Sequence, residues 1–476
     1  MDKVSVFFKR IMLGILLLLL ALTLGLVVRE GVQSRSYLLA LAAGAVWAAG
    51  AFLLLRRVSV RVPRRAALWL GLGCFVLNLI WVLVIRIEPF SDYFKYWQTA
   101  CALARGEALP ESWYLSLYPH ILGTASFLSL FVRLFGESVL AVSLVNVLLT
   151  TLSCLLLYRL GSELYGEETG FLAGLLWAVD PCKLMLNSLV FSEPLYTCLI
   201  LLFFLLVTRL ERRIDAGAPL SSLLLRSACL GAVLLFINLI RPIAAILWIA
   251  LAIWLLFLRG RALTSAAGWK RWAPALALML CVYVLGGRLW TGHVEKLLGT
   301  EVATTPVYNI YVGFNEETQG QWSAEDMDLL TAYHEQGMSA PEAQAALTPH
   351  LRERLASGID FPRLFANKLF AFLGADQLGG YTYRFTRPEL FYKLCMGICN
   401  VFYYGVFLAA LAGLWRLLKS RALDAGLLPP LFFLGLTLAH MLVEVSDRYH
   451  YSLIPILILY AALGFAGQFH SQRSTT

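Results

Sequence analysis

An aspartate stands in a short run of turn-forming residues, Glu88-Pro89-Phe90-Ser91-Asp92-Tyr93, just beyond an apolar stretch of spanning length. A carboxylate in that setting can act as a general base, taking a proton from an acceptor hydroxyl or amine. It can equally be the first-turn acid of the helix that follows. Glu88 is the neighbouring acid and reads as a supporting or surface residue, with Pro89 stiffening the turn. Tyr118-Pro119-His120 opens a second helical stretch. Proline at a helix start is structural, and His120 is either a contact for a phosphate or acceptor, or a satisfied interface histidine. Asp180-Pro181 with Lys183, and Ser192-Glu193-Pro194, carry helix-boundary chemistry. They also place Asp180, Lys183 and Glu193 at one end of two apolar segments. Arg241-Pro242 and Asp447-Arg448-Tyr449-His450-Tyr451 bring guanidiniums to segment ends on the same side. Arginine is permanently charged and forked, and so suits phosphate oxygens. Arg448 has the alternative of neutralising Asp447 or Glu444. His440 and Glu444, one helical turn apart, read as an outer-end contact or as a proton site.

The elements that must position these residues are membrane spans. Of 476 residues, 59% are hydrophobic and 14% charged, and mean hydropathy is +0.72. A soluble domain carries roughly 25% charged residues, so most of this chain is solvated by lipid. A span needs about 20 apolar residues. Twelve segments qualify: 11–28, 37–55, 66–85, 139–158, 170–189, 194–208, 221–239, 243–258, 273–290, 391–414, 425–443 and 449–467. The basic N-terminus leads into too long an apolar run, without a small-residue cleavage site, to be a signal peptide, so an uncleaved first span is expected. The nine cysteines fall mostly in apolar segments (Cys74, Cys154, Cys198, Cys229, Cys281) and read as small buried residues. Cys395 and Cys399 lie one turn apart without a second ligand pair.

Charge orients the chain. Net charge is +9, yet residues 291–390 hold 13 Asp/Glu against 7 Lys/Arg. Lys3, Lys9 and Arg10, then Arg56 to Arg65, Arg209 to Arg213, Arg259 to Arg271 (with Arg261) and Arg416 to Arg421 all fall on one face of a twelve-span topology. The positive-inside rule makes that face cytoplasmic, with both termini. No basic stripe with interleaved aromatics is present, which argues against a nucleic-acid partner, and no nucleotide-binding motif of the P-loop or dinucleotide type is found.

Four regions follow: residues 1–65 as two N-terminal spans; 66–290 as core spans with a long outer loop, 86–138; 291–390 as an extracytoplasmic cap; and 391–476 as C-terminal spans and a cytoplasmic tail. In the outer loop, Asp92 to Ala104 and Pro119 to Phe135 read as amphipathic helices lying at the interface, with Trp97, Trp113 and Tyr118 at headgroup level. In the cap, helical stretches are expected at about 324–336 and 341–356, after the polar run Gly313 to Gln321.

Several stretches in this order resemble the GT-C glycosyltransferases, in particular the family 39-like group related to protein mannosyltransferases and lipid A aminoarabinose transferases. They are Pro89-Phe90-Ser91-Asp92-Tyr93-Phe94-Lys95-Tyr96, followed by Ala100 to Gly106; Tyr118-Pro119-His120 ahead of a helix ending Leu134-Phe135-Gly136; Val190-Phe191-Ser192-Glu193-Pro194-Leu195 after Asp180-Pro181; Arg241-Pro242; and Arg448-Tyr449-His450-Tyr451. The resemblance runs from about residue 70 to 465. It implies an all-α polytopic bundle, a polyprenyl-phosphate-linked sugar as donor, membrane lipid around it, an extracytoplasmic acceptor, and inversion at the sugar. The loop aspartate that the family uses as base maps onto Asp92. Many members carry an Asp-Glu pair there, whereas this chain has Asp92-Tyr93, and its two leading spans are an addition to the usual pattern. Arg241, Arg448 and Lys183, with His120 and Tyr449, would hold the phosphate, and Glu88, Asp180 and Glu193 would support them. The group generally acts without a catalytic metal; no cofactor is called for, and a divalent metal is not favoured. The overall style of the chain suggests a bacterial plasma membrane. The competing readings are a polysaccharide polymerase or ligase, which would take an oligosaccharide donor, and a lipid-linked-saccharide flippase or secondary transporter, which would place its ionisable residues near mid-membrane.

Overall fold

The structure is a computed structural model and describes residues 3–57, 61–259 and 266–466. Arg261 and the tail 467–476 lie outside the described residues. Among the described residues every regular element is helical. Ten helices among the described residues are long and apolar enough to cross a membrane: Lys3–Gln33, Arg35–Leu55, Ala66–Val84, Val139–Tyr165, Glu193–Asp215, Leu220–Ile240, Gly268–Leu298, Glu389–Lys419, Ala425–Leu442 and Asp447–Ala466. They carry large apolar side chains such as Leu18, Val46, Leu225 and Leu289 on exposed faces. Water would not tolerate that surface and lipid does. The chain is an integral multi-pass membrane protein.

The other two expected spans are also helical, but short. Segment 170–189 is broken into Glu167–Ala178 and Pro181–Leu186. Pro181 donates no hydrogen bond and keeps the residue before it out of helical conformation. Asp180 then caps the new helix, its Oδ1 accepting from the amides of Cys182 and Lys183 at 3.0 and 3.1 Å. Residues 187–192, which run in the bundle without regular helix, need partners for their carbonyls. Asn146 Nδ2 supplies them to Asn187 and Leu189 at 3.2 and 2.7 Å, while the Asn187 side chain donates to Asn78 and accepts from Thr150. That polar knot delivers Ser192-Glu193 to a set place. Segment 243–258 forms Ala244–Ile253 and ends in a single π-turn, Trp254–Leu258.

The basic segments around Lys9, Arg209 to Arg213, Arg259 and Arg416 to Arg421 meet at one end of the bundle. Lys9 Nζ donates to the carbonyls of Ser420 and Ala422 at 2.8 and 3.0 Å, and Arg259 pairs with Asp215 at 2.7 Å. Cys229 and Cys281 are exposed on the outer faces of their helices and are not buried as expected. Those faces meet lipid, which accommodates a small apolar thiol as readily as a core does.

At the opposite ends, residues 86–138 form the helices Ser91–Arg105, Ser112–Leu117 and His120–Phe135. His120–Phe135 packs closely on Leu220–Ile240 through Gly123, where a β-carbon would stand 2.0 Å from the Leu239 carbonyl oxygen. Trp113 is not at headgroup level: it stacks on His334 at 4.3 Å and donates to the Met338 carbonyl at 3.0 Å, inside the cap.

The helix expected to end at residue 290 continues to Leu298. Beyond it the cap forms Val307–Gly313, Ala324–Glu335, Ala340–Ala346 and Thr348–Ala356 around Tyr308, Val312, Leu330 and Leu347. Arg354 pins them by its pair with Asp326 at 2.8 Å and its placement 3.5 Å over the Tyr311 ring. The remaining part does not sit on the cap. Phe361–Leu373 and the residues after it enter the main bundle core, with Phe372, Leu373 and Tyr383 buried.

Candidate functional site

A cavity of about 730 Å³ opens between the outer-loop helices, the cap and the ends of the spans. Asp92, His120, Arg241, Glu444, Arg448 and Tyr449 all line it. Each arrives on a different device. Asp92 is in the first turn of Ser91–Arg105. His120 opens its helix after Pro119. Arg241 ends Leu220–Ile240 in extended conformation, as a residue before proline must. Arg448 and Tyr449 lie on a 3-10 turn, Asp447–Leu453, capped by the Ser446 hydroxyl.

The charges form one chain of contacts. Arg448 Nη2 donates to Asp92 Oδ2 at 3.1 Å, and its Nε lies 3.3 Å from Glu193 Oε1. Arg241 Nη2 reaches the same Glu193 oxygen at 3.5 Å. Glu193 is 1% exposed and Asp92 is half-exposed toward the cavity. Two guanidiniums thus share one buried carboxylate, which leaves net positive charge beside an accessible aspartate. Tyr449 lies between them, its ring 4.7 Å from Arg241 and 5.5 Å from Arg448. Arg448 is therefore not spent on Asp447 or Glu444.

His120 is closed in by protein except on its cavity side. Burial, then Arg241 and Arg448, lower its pKa to about 3. Among these protein groups alone it is therefore a hydrogen-bonding group held toward its neutral form. Glu444, read from the sequence with His440 as an outer-end contact or a proton site, lines the cavity. Its Oε1 accepts from the Tyr449 hydroxyl at 3.2 Å, and burial raises its pKa. His440 bonds the Glu444 backbone carbonyl through Nδ1 at 3.0 Å and stacks on Tyr449 at 5.1 Å, so this pair is part of the cavity wall. Lys95, Tyr96 and Tyr114 also line the cavity, and Lys95 pairs with Glu111.

Three sequence candidates stand elsewhere. Lys183 is buried off the cavity, its Nζ 3.1 and 3.2 Å from the Asp376 carboxylate, and so does not face a phosphate. Asp180 is the helix cap already described. Glu88 is exposed and lies outside the cavity lining. The partner of Lys183 was illegible because Asp376 lies in what read as cap. Among the described residues no group of three or more His, Cys, Asp or Glu side chains is close enough to hold a metal ion.

The fold and cavity define a class: a polytopic helical membrane protein with an arginine-rich pocket at one end of its spans. Residues 120–286, about a third of the chain, match the family described as dolichyl-phosphate-mannose-protein mannosyltransferase. The match supports the resemblance to GT-C glycosyltransferases carried by the motifs. No curated protein matches the chain. Similar solved structures include the archaeal oligosaccharyltransferase AglB from Archaeoglobus fulgidus, in complex with an inhibitory peptide and a dolichol-phosphate. Its TM-score is 0.46 at 15% identity, covering 85% of this chain and 51% of that one. ArnT from Cupriavidus metallidurans bound to undecaprenyl phosphate has a TM-score of 0.39 at 13% identity, covering 81% and 77%. The chain spans about half the length of the archaeal enzyme.

Proposed function

We propose that the chain is a GT-C-type membrane glycosyltransferase that moves a sugar from a polyprenyl-phosphate donor to an acceptor on the extracytoplasmic face. One observation carries the reading: Arg448 bridges the accessible Asp92 and the buried Glu193 on the wall of the cavity. A base and a phosphate-binding cation are thereby side by side. The description of the family matching residues 120–286 supports a lipid-phosphate donor.

In this scheme the donor phosphate lies against Arg448 and Arg241. Asp92 takes the proton from the acceptor hydroxyl or amine as its oxygen or nitrogen attacks the anomeric carbon. The bond from that carbon to the phosphate oxygen breaks, and its electron pair leaves with the polyprenyl phosphate. The two guanidiniums take up the charge that grows there, in a site where preorganised donors count most. A single displacement inverts the anomeric centre. A cavity of about 730 Å³ has room for one sugar and its phosphate.

The test is transfer by purified protein from a polyprenyl-phosphate sugar, wild type against Asp92→Asn. The variant is expected to lose about 10² to 10⁴ in rate. Equal rates would remove Asp92 as base, and movement of labelled lipid across the bilayer without transfer would replace the enzyme reading with transport.

A further inference from the structure

The turn Asp447–Leu453 has two faces. Arg448 and Tyr449 look into the cavity, whereas His450 and Tyr451 look into the bundle and are buried. What those two residues meet is a charged cluster that the proposed mechanism does not use. His450 Nε2 is 3.3 Å from Asp376 Oδ1, and its Nδ1 faces the Phe372 carbonyl. The same carboxylate takes Lys183 Nζ at 3.1 and 3.2 Å and the Cys182 thiol at 3.1 Å. Lys183 Nζ in turn sits 4.4 Å over the Tyr451 ring. Asp376 itself is anchored, its amide donating to Asn400 Oδ1 at 3.2 Å. One carboxylate therefore joins three distant parts of the chain: the helix that begins at Pro181, the inserted segment after Leu373, and the turn that carries Arg448.

We propose that Asp376 is a positioning residue for that turn. Through His450 directly, and through Lys183 under Tyr451, it sets where the Arg448 guanidinium stands between Asp92 and Glu193. The inference rests on the transferase reading for its kinetic consequence, and on geometry alone for its structural one. Burying an ion pair is a weak source of stability, since an apolar replacement of similar volume is often no worse. Fixing one geometry is what such a cluster does that an apolar contact does not. Tyr403, stacked on His450 with rings 6.0 Å apart, leaves the imidazole little freedom to swing away.

Two variants test this in the full-length protein. Asp376→Asn keeps the shape and removes the charge that holds Lys183 and faces His450. The double variant Lys183→Met with Asp376→Leu removes the pair together and is the one expected to keep wild-type thermal stability. Both should lower kcat for transfer by about a hundredfold, the scale of an ångström-sized misplacement, with a smaller rise in the donor KM because Arg241 still holds the phosphate. Asp376→Glu, which can still accept from both Lys183 and His450, should restore part of the rate. Structures of the variants by cryo-electron microscopy should show Arg448 displaced from Asp92 and Glu193. If either variant folds and keeps Arg448 in both contacts, the proposal is overturned. If the wild type transfers no sugar at all, the transferase reading falls, and the position of Arg448 in the variants still decides this one.

Discussion

Arg448 and Glu193 meet at 3.3 Å across 255 positions of sequence, and the glutamate oxygen they share is also the one that Arg241 approaches. Glu193 therefore decides how much positive charge the cavity presents.

Replacing it by glutamine leaves two buried guanidiniums facing each other. Removing one partner of a buried pair costs about 3 kcal/mol or more. Glu193→Gln should unfold at lower temperature in detergent, and added polyprenyl phosphate should restore part of the loss by supplying negative charge. Unchanged stability without ligand would mean that the three side chains are not coupled.

Arg448→Lys should be a poor substitute. An ammonium is a single point charge and cannot pair with Asp92 through one nitrogen and with Glu193 through another as the guanidinium does. The rate of transfer should fall by about 10² to 10³, as when an oxyanion donor is removed. Arg241→Lys, whose carboxylate contact is the longer one at 3.5 Å and which does not touch Asp92, should lose less; steady-state kinetics on the pair would show the order.

Lys368 makes stability depend on pH. It is buried in the inserted helix, and its Nζ donates to the carbonyls of Gly313 and Val443 at 2.6 and 2.8 Å. Burial lowers its pKa from 10.5 to about 7, partly opposed by Glu444. Between those values the unfolded chain binds the proton and the folded one does not, so stability rises with pH across that window. Thermal unfolding followed from pH 7 to 9.5 should show that rise for wild type and a flatter course for Lys368→Met. Parallel curves would place the slope elsewhere.

Gly123→Ala should push His120–Phe135 off Leu220–Ile240, because the new β-carbon falls 2.0 Å from the Leu239 carbonyl oxygen. Overpacking of this kind costs about 1–3 kcal/mol. Gly14, with nothing within 4 Å, is the control, and Gly14→Ala should be neutral or slightly stabilising. Equal melting temperatures for the two variants would show that the tight contact gives way freely.

Composition and periodicity by themselves determined that this is a helical membrane protein with its basic loops on one face. Lipid demands long apolar helices, and that demand is written locally in runs of about 20 residues. The same reading marked Asp92, Glu193, Arg241 and Arg448, since each sits beside a proline or at a span end where polar residues are conspicuous. Only the tertiary structure decided which of these meet. It joined Arg448 to Asp92 and Glu193, took Lys183 away to Asp376, and brought Glu444 into the cavity wall. It also carried Phe361–Leu373 and Asp376 out of the expected cap and into the bundle. Partners 193 residues apart, such as Lys183 and Asp376, leave no mark in local spacing. Their pairing follows from how whole helices pack, and a single sequence does not display that.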